Sequence, residues 1–169
     1  MQDINAILVR AQKENDFNEL CKECETLNSD LRNMMIVEKA TKILETFRKT
    51  SQNAAEISPA NALTAIMMNA TVAGGVHSNK NMKRVAPYLD QIFGGNYEFN
   101  TVRITYMNGA QGLAQLNQYV ADILKIVHMH AHELELEILL LCMLIMSSNG
   151  HISPKERTYL KSLFGYLRT

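Results

Sequence analysis

The densest group of metal-ligating side chains is Val127-His-Met-His-Ala-His-Glu133, with Glu135 just beyond it. On a helix His128 and His132 share a face and Glu135 lies a turn further on, a nitrogen–oxygen set that zinc or nickel accepts. There is no His-Glu-x-x-His arrangement, so no general base is placed for hydrolysis. A polar junction between two helices uses the same residues without a metal. The sequence favours that reading, with no metal and no other cofactor.

Cys21-Lys-Glu-Cys24 has redox-pair spacing, but by pattern it lies in mid-helix rather than at a helix start after a strand. No second pair completes a zinc site, so Cys21, Cys24 and Cys142 read as reduced core thiols. Ser153-Pro-Lys-Glu156 has the form of a capping box: Ser153 accepts a backbone N–H, Glu156 reaches back, and Pro154 presets the first turn. Ser78, Ser153 and the histidines make no convincing nucleophile–base–carboxylate set. Gly74–Gly75 and Gly94–Gly95 follow helices rather than strands, unlike a phosphate loop. No catalytic residue emerges.

These residues hang on helices. From Leu134 to Met146 only Glu135 and Glu137 interrupt an apolar run. A helix apolar on all sides belongs inside a helical domain or a membrane, and this one is shorter than the ~20 residues a span needs. Upstream, Ile4, Ile7, Leu8 and Ala11 repeat at helical spacing, as do Phe17, Leu20, Cys21, Cys24 and Leu27. Ser29 or Asp30 then caps a helix with Leu31, Met34, Met35, Ile43, Leu44 and Phe47 inward, and Thr50 to Glu56 is a polar connection. Ser58–Pro59 starts a helix that faces Leu63, Ile66, Met67, Ala70 and Val72 to a core and stops at Gly74–Gly75. Another runs from Ser78 to Phe93, kinked or shortened by Pro87. Tyr97 to Tyr106 alternates as a strand does, but a lone hairpin would have little to pair with, so a loop and short helix are expected. Leu113 to Val127 is a long amphipathic helix.

Composition agrees. The 169 residues suit one domain or two small halves sharing a core, and 17 basic residues balance 17 acidic ones. That balance argues against nucleic-acid binding, which wants a concentrated basic surface. The start, Met-Gln-Asp-Ile-Asn, lacks the pattern of a secretion signal, so a cytoplasmic protein is expected.

At an offset of 75 residues Gly75 falls on Gly150, Ser78 on Ser153 and Lys80 on Lys155, each turn preceded by an apolar helix. Here the chain resembles the tellurite-resistance TerB-like family, in which two helix–turn–helix units each pass from an apolar helix through Asp-Gly into a capped, acidic helix start. Val72-Ala-Gly-Gly-Val76 and Ser147-Ser-Asn-Gly-His-Ile-Ser-Pro-Lys-Glu156 occupy those places, and the likeness covers Ser58 to the C-terminus. The chain departs from the family where Asp precedes the turn glycine: Gly74 stands in the first unit and Asn149 in the second. Of the acidic positions only Glu156 keeps a carboxylate, too few for calcium-type binding. The resemblance implies a metal-associated, non-enzymatic stress-response module that works through partners at the membrane, in peripheral association with a membrane complex. The departures here lead to the expectation that the fold is kept and the acidic metal site lost.

The expected fold is all-α, with eight or nine helices. Two pseudo-symmetric helix–turn–helix units surround a central pair, Leu63–Val72 and Leu134–Met146. Residues 1–56 form a helical arm and residues 57–169 the TerB-like domain. The expected function is a non-catalytic interaction module that meets a protein partner at Gly74, Gly75, His77, Ser78, Asn149, Gly150, His151 and Lys155. Two alternatives stand beside it: a metalloprotein built on His128, His132 and Glu135, and a phage- or virulence-associated adaptor with an oligomerising N-terminal arm.

Overall fold

A computed structural model describes residues 14–50, 59–73, 83–94, 109–130 and 134–167. The described residues contain helices and no strand: α1 (Glu14–Thr26), α2 (Ser29–Thr50), α3 (Pro59–Val72), α4 (Ala86–Phe93), α5 (Gly109–His130), α6 (Glu135–Met146) and α7 (Pro154–Leu167). Short 3-10 turns, Lys83–Val85 and Ser147–Asn149, precede α4 and follow α6. Seven α-helices are thus seen among these residues, against the eight or nine expected. The expected first helix at Ile4–Ala11, the Thr50–Glu56 connection beyond Thr50, the Gly74–Ser78 junction, the Tyr97–Tyr106 region and His132 lie outside the described residues.

α6 is the hub. Every residue from Glu135 to Met146 except Leu136 is buried, and α1, α2, α3, α5 and α7 all pack against it. The two helices expected at the centre, α3 and α6, are in direct contact. α3 is buried continuously from Ala62 to Val72. Each fully buried Leu or Ile contributes ~1.5–3 kcal/mol by leaving water, so this continuous buried run is a large share of the fold's driving force.

α1 and α2 join the same core. Phe17, Leu20, Cys21 and Cys24 are buried at a spacing of three and four residues, and α1 lies on α6 and on the 3-10 turn that ends it. The short α1–α2 link is fastened twice. Asn28 Oδ1 accepts the Asp30 N–H at 2.8 Å. Arg32 Nη2 donates to the carbonyls of Cys24 and Leu27, both at 3.0 Å, satisfying α1's C-terminal oxygens with a positive charge where the helix dipole favours one.

Two local expectations are corrected. The α2 cap is Asn28, because Ser29 is already in the first turn. Met34 is not inward but 68% exposed; the buried stripe runs through Ile36, Ala40, Ile43 and Phe47, and Met34 lies two residues, about 200°, out of phase with Ile36. Pro87, expected to kink or shorten its helix, stands where the described α-helix begins. It occupies the opening turn of α4, where its missing N–H costs no helical bond. Gly94 ends α4 in the left-handed region (φ 66°), its N–H bonded to Asp90 O.

Polar cross-links lock the helices in register. Glu137 of α6 receives Lys39 Nζ at 2.8 Å and Lys42 Nζ at 2.9 Å from α2. Burial acts to raise the Glu137 carboxyl, but the hydrogen bonds and charges of Lys39 and Lys42 outweigh it and hold it below the usual glutamate range. On another side of the hub, buried Asn69 of α3 donates to Asn117 Oδ1 of α5 at 2.6 Å and accepts the Tyr159 hydroxyl of α7. Burial, aided by Cys142, pushes the Tyr159 phenol well above its ordinary value.

Candidate functional site

The α6–α7 junction is built from local rules first. Leaving α6, Ser147 and Ser148 return their hydroxyls to Leu144 O (3.1 Å) and Ile145 O (2.7 Å). Gly150 then adopts φ 92° and bonds its N–H to Ser147 O at 2.8 Å. That φ costs a side-chain-bearing residue dearly and glycine almost nothing. Asn149 Oδ1 accepts the His151 N–H at 3.2 Å. Ile152 is fully buried and pins the turn to the core.

The expected capping box forms in full. Glu156 N–H donates to Ser153 Oγ at 3.1 Å and Ser153 N–H to Glu156 Oε1 at 2.9 Å, with Pro154 the first residue of α7. These bonds leave Asn149, Gly150, His151 and Lys155 exposed. Those four are the described members of the expected partner face. Gly74, Gly75, His77 and Ser78, the other four, lie outside the described residues.

What the sequence did not reveal is how the turn is held from outside. Glu25 of α1 accepts the Ile152 N–H at 2.9 Å, lies 3.2 Å from His151 Nδ1, and pairs with Arg157 Nη2 at 3.2 Å. Arg157 also donates to Ile152 O (3.2 Å) and Asn18 Oδ1 (3.3 Å). Arg84 Nη2, from the 3-10 turn before α4, donates to Ile145 O at 3.0 Å and Ser148 Oγ at 2.5 Å. The junction is therefore held both by α1 and by the 3-10 turn before α4. Nothing in local spacing pointed to Glu25, Arg157 or Arg84.

The histidine group divides. α5 ends at His130 and α6 begins at Glu135, so His128 and Glu135 do not share one helix face. They meet across the link instead, His128 Nδ1 to Glu135 Oε1 at 2.7 Å. This contact ties the end of one helix to the start of the next and places a carboxylate in the first turn of α6, where the helix dipole favours it. Of the three candidate ligands His128, His132 and Glu135, only His128 and Glu135 lie among the described residues. Among the described residues no group of three His, Cys, Asp or Glu side chains is placed to hold a metal.

The cysteines lie in the core. Burial pushes the Cys21 thiol up to about 11, with Arg157 pulling the other way, and pushes Cys24 and Cys142 up to about 12. At neutral pH all three are thiols rather than thiolates, the opposite of what redox or nucleophilic chemistry needs.

No protein-family model, curated protein or solved structure matches the chain. No helix among the described residues is long and apolar enough to cross a membrane.

Proposed function

We propose that the protein is a non-catalytic helical interaction module of TerB-like organisation, a stress-response or adaptor component that works by presenting the α6–α7 turn to a protein partner. The single observation that carries this reading is that Asn149, Gly150, His151 and Lys155 are exposed on a backbone clamped by the capping box and by Glu25. A preorganised turn loses little conformational freedom on docking, and that is what an interaction surface gains from such scaffolding. In the same reading Gly74, Gly75, His77 and Ser78, which lie outside the described residues, are the sequence counterpart of this turn and also meet the partner. The partner then packs against this face by a helix laid in a groove.

A photo-crosslinking amino acid at Asn149 or Lys155, introduced in the native host, tests this against the same residue at Lys125 on α5, which is also exposed. A discrete adduct from both turn positions and none from Lys125 is expected. Identical patterns from all three positions, or none from the turn, would overturn the proposal.

The metalloprotein alternative draws on the His128–Glu135 contact, with His132 as the remaining ligand. The adaptor alternative needs the N-terminal helices for oligomerisation, yet the apolar stripes of α1 and α2 are spent on this chain's own core.

A further inference from the structure

We propose that Asn149 is a site of spontaneous deamidation, and that the docking of α1 on the α6–α7 turn sets its rate. The chemistry requires only water. The Gly150 amide nitrogen forms a bond to the side-chain carbonyl carbon of Asn149 and gives up its proton to solvent. The bond from that carbon to Nδ2 breaks, and the leaving nitrogen takes up a proton and departs as ammonia. One water then adds across either carbonyl of the resulting cyclic imide, giving aspartate or isoaspartate. No electrons change hands.

Two features of the turn favour ring closure. Gly150 has no side chain to crowd the attacking nitrogen, and the space where a Cβ would lie is open. The His151 N–H sits 3.2 Å from Asn149 Oδ1, the atom that collects negative charge as the carbonyl is attacked, so it acts as an oxyanion donor. Asn149 is exposed, leaving ammonia an open path.

One feature opposes it. The Gly150 N–H is engaged with Ser147 O at 2.8 Å, and Asn149 sits in a 3-10 turn. Attack therefore waits for the turn to open. Opening pulls on His151 and Ile152, both held by Glu25 of α1. Docking of α1 is thereby coupled to the covalent fate of a residue 124 positions away, and the product places a new carboxylate or an extra backbone methylene in the turn.

The test incubates the purified full chain, native and urea-denatured, and follows the tryptic peptide Ile126–Lys155 by mass spectrometry. Asn149 is the only Asn or Gln in that stretch, and Asn108–Gly109 serves as a second Asn-Gly clock in the same digest. Native chain is expected to convert Asn149 more slowly than denatured chain. Glu25→Gln, and independently Arg157→Met, should each speed it about fivefold, the factor for one lost hydrogen bond, with Asn108 unchanged. Three results would overturn the proposal: no conversion in native chain while denatured chain converts, equal rates in both variants and parent, or an Asn108 rate rising in step with Asn149. The last would mean that global unfolding, not the turn, is responsible.

Discussion

Glu137 offers the sharpest check on how α2 is fastened to the hub. Its side chain is 12% exposed and that of Lys39 is 9% exposed, their charged atoms 2.8 Å apart. Lys42 reaches the same carboxylate from a side chain 58% exposed. Glu137→Ala removes one member of a pair that water barely reaches, a loss that costs ~3–5 kcal/mol. For a chain of this size each kcal/mol lowers the melting temperature by ~2–4 °C, so a fall of ~6–20 °C is expected. Lys42→Ala breaks only a solvent-screened contact and should cost ~1 kcal/mol or less. Replacing the pair together, Lys39→Met with Glu137→Leu, removes both charges and should return stability to within ~1 kcal/mol of the parent. Thermal and urea unfolding followed by circular dichroism measures all of these. The pH dependence has a definite sign. The folded Glu137 pKa is lowered, so its stabilisation is complete above the ordinary glutamate value of ~4.3 and is lost as pH falls through the lower folded value. Glu137→Gln should flatten the stability curve in that acid range. A Glu137→Ala penalty no larger than that of Lys42→Ala would refute the reasoning.

Ser153→Ala removes the acceptor for the Glu156 N–H and should cost ~1 kcal/mol, read as a melting shift of ~2–4 °C; no shift would mean that the capping box is idle. Cys21, Cys24 and Cys142, with pKa values raised to between about 11 and about 12, should resist a thiol reagent at pH 8 in native protein and react together on unfolding. Rapid native labelling of any one of them contradicts their burial. Asn69→Leu strips the acceptor from the buried Tyr159 hydroxyl and should cost ~1–3 kcal/mol in urea unfolding, whereas a neutral result would deny that hydroxyl its role. Zinc or nickel titration should leave the melting temperature unchanged; a rise that His128→Ala abolishes would instead establish the metalloprotein alternative.

The sequence by itself determined the parts whose partners lie within a turn or two. The apolar run of α6 declared a central helix because no face of it tolerates water. Ser153 and Glu156 announced their reciprocal bonds, since three or four residues contain the whole interaction. Tertiary structure decided the rest. Glu25 meets Ile152 across 127 residues, Lys42 meets Glu137 across 95, and Tyr159 meets Asn69 across 90. In sequence each of these looks like an ordinary solvated side chain. The rotation of α2 went the same way: Met34 and Ile36 are equally apolar letters, and only the packing of α2 on α6 put Ile36 inside and Met34 in water. Hydrophobic spacing sets which helices form, while the polar groups that clamp them are chosen by whichever surfaces the packed core brings face to face.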